Sequence, residues 1–236
     1  MHVSELWRFP VKSMRGESLD AATLTENGVA GDRVVHVRGR RGVLTARTRP
    51  RLLSLSGTSD PDGQPLVDGR PWDHPRSAMA IRDAAGADAQ AVRYDGQERF
   101  DVLPLLVATD GEVRAFGHDR RRLRPNLLIA GVPDLAERSW PGRTLQVGGA
   151  LIGIHSLRPR CVITTFDPDT GEQDLDVLRR INREFDGKLA LNCWVARGGA
   201  VRIGDQVEIL DVRLPPPPAG GWVTGAPYDV PGTIIR

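Results

Sequence analysis

The sequence predicts a mainly β protein: a barrel-like body with a few helices, and a small β-rich N-terminal subdomain packed against it. Three observations predict this. Short apolar runs with strand-like alternation recur at close spacing along most of the 236 residues. Glycine and proline are abundant, 26 and 18, while aromatics make up only 5%, a composition of turns and short elements and not of a helical bundle. One stretch, Asp174 to Phe185, has plain helical periodicity, with Leu175, Leu178, Ile181 and Phe185 as its expected apolar face.

In chain order, Val3 to Phe9 alternates well enough for a strand, which Pro10 ends. The basic loop from Val11 to Gly16 leads into a strand-like run from Ser18 to Leu24, and Asn27-Gly28 is a turn. Gly31-Asp32-Arg33 opens a strand over Val34 to Val37, and Arg38 to Arg41 reads as an exposed hairpin turn. Leu44 to Arg47 and Leu52 to Leu55 are expected as strands, and Gly63 to Trp72 as an irregular hairpin. Ser77 to Ala91 stays open between a short helix and strand plus loop. Leu105 to Thr109 is a strand, and Asp110 to Phe116 a helix with Thr109 or Asp110 as its N-cap. Leu127 to Ile129 is a buried strand, Thr144 to Ile154 a hairpin, and the β-branched run Val162 to Thr165 reads as strand. Beyond the helix come strands at Leu191 to Ala196, Ala200 to Ile203 and Val207 to Val212, with Gly204-Asp205 as a turn. A composition change between Gly57 and Ala91 puts a subdomain break before Leu103. The expected division is residues 1–100, residues 101–214, and an extended tail over 215–236, where Pro215 to Pro218 stops regular structure.

The charge balance, 32 basic against 30 acidic residues, excludes a polyanion-coating protein. Met1 to Arg8 has no apolar leader character and no run reaches membrane-spanning length, so a cytoplasmic protein with no membrane partner is expected. Two cysteines in that setting do not predict a disulfide. The five histidines show no zinc-ligand spacing, two cysteines do not hold an iron–sulfur cluster, and no glycine-rich nucleotide loop is present. His155, on an apolar strand, reads as a packed core histidine. A hydrolase dyad of Cys161 with His155 or His118 stays open, because spacing alone does not place the pair together.

The chemistry concentrates at Arg158-Pro159-Arg160-Cys161, followed by the turn Asp167-Pro168-Asp169-Thr170-Gly171. Guanidinium neighbours favour the thiolate, the form that attacks or binds metal, so Cys161 is expected at a strand end beside a loop in a positive field. Cys193, without adjacent cations, reads as a buried apolar side chain. Three basic clusters stand elsewhere: Lys12 and Arg15 flanking Ser13, Arg33 after Gly31-Asp32, and the dense run Arg120-Arg121-Arg122-Leu123-Arg124-Pro125-Asn126. Each alone is ordinary surface charge, and the last could be a nucleic-acid patch. No nucleic-acid partner is expected, since no reading module accompanies the run and stacking aromatics are scarce. Guanidinium forks grip phosphate bidentately, and soft thiolates take soft or borderline metals, so the clusters together suit an anionic cofactor carrying a thiophilic metal.

These residues resemble the MOSC-domain family, the fold shared by the C-terminal region of molybdenum cofactor sulfurases and the mitochondrial amidoxime-reducing component. Phe9-Pro10-Val11-Lys12-Ser13 with Gly16, Leu24-Thr25, and Gly28 through Gly31-Asp32-Arg33 are similar to the family's N-terminal β-barrel subdomain. Arg122 to Leu127, Trp140-Pro141-Gly142, Leu145 to Gly148, Arg160-Cys161 with Thr164-Thr165, Asp167 to Gly171, and Val201 to Val207 are similar to the MOSC domain proper. The resemblance implies a molybdenum–molybdopterin cofactor (Moco), independent of pyridoxal phosphate, with Cys161 as metal ligand and catalytic residue. Lys12, Ser13, Arg33, Thr109, Arg124, Asn126 and Arg160 occupy its cofactor-binding positions. It implies a molybdenum oxidoreductase that reduces N-hydroxylated or N-oxide-type small molecules with electrons from a separate protein: a ferredoxin, a flavodoxin, or a b-type cytochrome plus reductase. The alternative is a molybdopterin carrier, or a sulfur-transfer protein using a Cys161 persulfide. The chain departs from the pattern at Pro159 and at Asn192-Cys193-Trp194, and residues from Pro215 on lie outside the resemblance.

Overall fold

The computed structural model describes residues 1–96 and 99–215, so all of the expected tail after Pro215 lies outside the described residues. The first strand, β1 (His2–Arg8), buries Val3 and Leu6. The run after Gly16 is broken at Asp20 into β2 (Glu17–Leu19) and β3 (Ala21–Thr25), and β3 turns back into β4 (Gly28–Val29). β5 (Val35–Gly39) and β6 (Gly42–Leu44) form a hairpin; Arg38 belongs to its first strand and is buried, and the chain leaves the sheet after Leu44. Leu52 to Leu55, expected as strand, lies in and just after a 3₁₀ turn, Pro50–Ser54. Proline near its start presets the helical φ there and has no N–H to give a ladder. β7 (Gly57–Ser59), β8 (Pro65–Val67) and β9 (Arg70–Pro71) form a meander. The open stretch resolves into α1 (Pro75–Ala85), capped by His74, and β10 (Gln90–Arg93).

β11 (Leu105–Thr109), α2 (Asp110–Phe116) capped by the Thr109 hydroxyl, β12 (Leu127–Ala130), β13 (Thr144–Val147) and β14 (Ala150–Pro159) follow expectation. Val162–Thr165 does not: it is a 3₁₀ turn. The hydroxyls of Thr164 and Thr165 donate to the carbonyls of Cys161 (2.8 Å) and Val162 (2.6 Å). Such back-bonding to the residue three before curls a β-branched run that propensity alone assigns to a strand. α3 (Leu175–Glu184), capped by Asp174, is where it was expected, but its buried face is Val177 and Ile181, with Phe185 just beyond. Leu175 is 48% exposed, because the helix docks on Phe116, Leu123 and Leu189 with the other side of its first turn. β15 (Lys188–Arg197), β16 (Gly199–Arg202) and β17 (Val207–Leu210) complete the chain.

Eight strands form one mixed sheet in the order β17-β13-β14-β15-β11-β12-β1-β2, in which only β11 and β12 run parallel. The far side of β1 meets the turn before β17: Val3 N–H donates to Asp205 O at 2.9 Å and Val207 N–H to Met1 O at 2.9 Å, which closes the sheet into a barrel. Its interior holds Leu6, Leu127, Ile129, Ile152, Ile154 and Leu191. Trp194 on β15 lies across Gly153 on β14, where an added Cβ would come within 2.2 Å of the indole; glycine is required there for the aromatic to cover its neighbour. His155, next on β14 after inward Ile154, faces solvent and is exposed, so it is not the core histidine expected.

A second core gathers Val11, Met14, Val35, Val37, Leu52 and Ile81 around β5 and α1. The chain crosses from one core to the other at Phe9 to Met14, where Lys12 N–H donates to Val35 O (2.7 Å) and Val35 N–H to Pro10 O (3.1 Å). The buried histidine is His36 in this second core, with neither ring nitrogen hydrogen-bonded among the described residues. Burial, then the charges of Lys12 and Arg38, push its pKa from 6.5 down to about 4. The unfolded chain takes up that proton near pH 6.5 and the folded chain only near 4, so stability falls as pH drops through this window. At about 1.4 kcal/mol per pH unit the loss reaches about 3 kcal/mol. His36→Leu is expected to flatten this acid limb of a urea-denaturation profile; an unchanged slope would assign it to other groups.

Candidate functional site

The crossing segment, the Asp32-Arg33 bend, the loop after β6, Asp101, the Leu123-Arg124 bend and the chain from Arg158 to Ile163 converge on one cleft of about 90 Å³. It lies at the seam of the two cores, where the ends of β5, β6 and β14 give way to loops. Lys12, Arg33, Arg47, Arg124, Arg158 and Arg160 line it against a single lining carboxylate, Asp101, with half-buried Cys161 among them. Cys161 immediately precedes the 3₁₀ turn, and its carbonyl accepts from Thr164 N–H at 3.0 Å.

Three lining residues, Ser13, Arg33 and Arg124, have φ of 70°, 55° and 56°. The left-handed region costs a side-chain-bearing residue about 1 kcal/mol or more. Here it is enforced from outside. Ser13 Oγ accepts from Ala46 N–H (3.0 Å), and Arg33 N–H donates to Phe9 O (2.8 Å). Arg124 Nη2 donates to Met14 O (2.7 Å), and its guanidinium lies 4.3 Å from the centre of the Phe9 ring, with Arg33 5.1 Å from the same centre. Gly16 packs on that ring so closely that a Cβ would sit 2.5 Å from Phe9 Cδ1.

Asp101 ties the cations together. It accepts from Lys12 Nζ (2.6 Å), Arg47 Nη2 (2.8 Å) and Arg158 Nη2 (3.3 Å). Burial alone would raise its pKa, but Lys12, Arg47 and Arg158 hold it well below the usual carboxylate range. The cations respond in the opposite sense. Burial, then neighbouring Arg33, pushes Arg124 down to about 9, and burial, then Arg158, pushes Arg160 down to about 10; burial also lowers Lys12 and Arg158. The Arg160 Nε is buried without a hydrogen-bond partner among the described residues, while its Nη2 donates to Leu123 O at 2.8 Å. A cleft with this surplus of partly desolvated cations suits an anion.

Of the residues expected at the site, Lys12, Ser13, Arg33, Arg124, Arg160 and Cys161 meet here. Asn126 stands just behind, fully buried. Its Oδ1 accepts from Leu106 N–H (3.1 Å) and its Nδ2 donates to Asp32 Oδ2 (3.2 Å) and Trp7 O (3.3 Å). Thr109 does not line the cleft: its hydroxyl donates to Glu137 Oε2 (3.0 Å) and accepts from Glu112 N–H (3.1 Å). Arg47 and Asp101 had no sequence signal beyond charge, and Arg158 one only in its nearness to Cys161. The run Arg120 to Arg122 is balanced by acids: Arg120 pairs with Glu5, Arg121 with Asp119 and Asp169, and Arg122 with Asp167.

A closed mixed sheet meets a second β-rich core at a seam where a half-buried thiol stands among surplus cations; of the two cysteines only Cys161 is accessible. Residues 1–112 match the MOSC N-terminal beta barrel domain and residues 101–208 match the MOSC domain. The chain belongs to the MOSC-domain family. It is 24% identical to mitochondrial amidoxime-reducing component 1 of Mus musculus, over 88% of this chain and 82% of that one. It is 28% identical to mitochondrial amidoxime reducing component 2 of Homo sapiens, over 87% and 82%. A shorter stretch, 37% of this chain and 10% of the relative, is 32% identical to the molybdenum cofactor sulfurase of Bombyx mori. No helix among the described residues is long and apolar enough to cross a membrane.

Two predictions follow from the charges here. Asp101→Asn strands three cations and is expected to cost about 2 kcal/mol, less than a fully buried pair because the carboxylate is 24% exposed. Phosphate should raise the melting temperature of this variant more than that of the wild type; equal responses would argue against an anion site. Behind Arg160, burial raises Glu112 to about 8, its Oε1 accepting from Ala190 N–H at 2.6 Å. The folded carboxyl keeps its proton up to that pH while the unfolded one loses it near 4.5, so stability falls as pH rises between them. Glu112→Gln is expected to remove this alkaline slope, measured by denaturant midpoints from pH 5 to 8.

Proposed function

We propose that this MOSC protein binds a molybdenum–molybdopterin cofactor in the cleft and reduces N-hydroxylated or N-oxide-type small molecules with electrons from a separate donor protein. The observation that carries the reading is the half-buried Cys161 thiol inside a cleft whose cations outnumber its carboxylates. The relatives named as amidoxime-reducing components support the reaction class. The donor set fits the cofactor: guanidiniums and an ammonium for a phosphate, and one thiolate for a soft metal.

In this reading Cys161 is the protein's metal ligand. Lys12, Arg33, Arg124 and Arg160 would hold the phosphate and the pterin, with Ser13 fixed beside them by Ala46 N–H. Asn126 would act indirectly, by holding the Asp32 carboxylate that pairs with Arg33. Thr109, its hydroxyl engaged with Glu137 and Glu112, would support the wall behind Arg160. Residues 1–100 and 101–214 would act as two parts clasping one ligand, since both contribute to the cleft. Bound there, the metal supplies a two-electron centre able to take oxygen from an N–O bond. Overall, an N-hydroxylated compound, two electrons and two protons become the N–H compound and water. The chain's own part is to fix the cofactor, exclude bulk water and present positive charge where anions gather.

The test is metal and pterin analysis of protein expressed with molybdate. Wild type is expected to carry molybdenum and to reduce a simple hydroxylamine with a competent donor. Cys161→Ser should keep near wild-type stability yet lose the metal, because an alkoxide is a poor soft-metal ligand. Cys193→Ser, at a fully buried position in the barrel interior, should cost about 1–3 kcal/mol and retain metal. Full metal content and turnover in Cys161→Ser would sink the proposal. Labile sulfane sulfur without molybdenum would favour a sulfur-transfer role, which the match to the sulfurase supports.

A further inference from the structure

A second cavity of about 190 Å³ adjoins the cleft, sharing Arg124 and Ile163 with it. Its character differs. The side chains of Trp7, Phe9, Leu53, Ile163 and Phe166 supply apolar walls, brought together from β1, the crossing segment and two 3₁₀ turns with the residue after one of them. Trp7, Leu53, Ile163 and Phe166 are all only half-buried, so apolar surface from distant parts of the chain faces one space that nothing in the described chain fills. The walls are held in place. Trp7 Nε1 donates to Glu5 Oε2 at 2.7 Å, and Glu5 in turn pairs with Arg120. A dry cavity of about 150 Å³ is enough to admit benzene, so this one has room for a single aromatic ring and a small substituent.

Charge narrows the occupant further. Arg120 to Arg122 at this cavity are matched by Glu5, Asp119, Asp169 and Asp167. Two guanidiniums are not matched by a carboxylate hydrogen bond among the described residues: Arg124 at the junction with the cleft, and exposed Arg15, which donates to Ser54 O at 2.6 Å. We propose that this cavity seats the organic body of the substrate, an aryl ring bearing an anionic substituent. The N-hydroxylated group would turn through the junction toward Cys161, and the anionic group would lie at Arg15. This rests on the reductase reading above and names the substrate class that the reading leaves open. A phosphate-bearing pterin belongs instead with the cleft, where six cations face one carboxylate, whereas Arg120 to Arg122 at this cavity are already paired with acids.

The experiment uses the molybdenum-loaded full chain and an unreactive probe, 4-carbamoylbenzoate, with neutral benzamide for comparison, measured by calorimetry. The acid is expected to bind about tenfold more tightly than the amide, the size of one charge-assisted hydrogen bond. Arg15→Gln, at an exposed position, should reduce the acid to the level of the amide. Leu53→Trp, which fills the cavity, should weaken both probes at least about tenfold and lower kcat/KM for 4-carboxybenzamide oxime relative to hydroxylamine by a similar factor. Equal binding of acid and amide, or unchanged binding in folded Leu53→Trp, overturns the inference even if hydroxylamine is reduced. Probe binding that responds to both substitutions in a protein without reductase turnover would sustain the aryl-acid cavity and defeat the reductase reading instead.

Discussion

The Asp32 carboxylate, with no exposed surface, is the interaction on which the seam depends. Oδ1 accepts from Phe9 N–H at 2.7 Å, while Oδ2 accepts from Asn126 Nδ2 and pairs with Arg33. Its own carbonyl accepts from Arg99 Nε at 2.9 Å. A buried carboxylate is expensive unless its partners are complete; those of the Asp32 carboxylate come from the crossing segment just after β1, from the bend before β5 and from the residue before β12, and its carbonyl adds the segment leading to β11. One residue therefore sets where four pieces of chain meet. Phe9 is fixed by it, and the Phe9 ring then becomes the surface on which Arg33 and Arg124 lie. The cleft inherits its shape from that arrangement.

Charge is handled in two ways on neighbouring surfaces. The densest basic run in the chain, Arg120 to Arg122, is met by carboxylates, and pairs of this exposure contribute little to stability. At the cleft the cations outnumber the carboxylates, and burial lowers their proton affinity. Density of arginine in the sequence is thus a poor guide to where positive field is left over. What decides is how many acidic side chains the fold brings to the same place.

Much of the architecture could be read from local pattern. β11 and α2 are legible because the apolar run stops at a threonine whose hydroxyl caps the Glu112 N–H. The 3₁₀ turns at Pro50–Ser54 and Val162–Thr165 were not legible as such, since apolar and β-branched content says strand while a proline and two hydroxyls settle the backbone otherwise. The buried face of α3 was legible at Ile181 and Phe185 but not in its first turn, where Leu175 or Val177 could each head an apolar face and only the docking surface chooses. At the cleft, Lys12, Ser13, Arg33, Arg124, Arg160 and Cys161 were legible through motif resemblance. Arg158 was legible only as a neighbour of Cys161, and Asp101 and Arg47 were not legible, since nothing local marks a lone charge as the partner of residues about 90 or 50 positions away. Thr109 was legible as a cap, and that is the work its hydroxyl does.

Left-handed backbone at Ser13, Arg33 and Arg124 has a consequence for the life of the protein. Strained torsions and crowded cations both cost the fold free energy, and an anion held as proposed would relieve the second while leaving the unfolded chain untouched. Mass action would then make the folded fraction rise with the concentration of that anion. Chains short of it would unfold more often and meet proteases sooner, so the amount of folded protein would follow ligand supply.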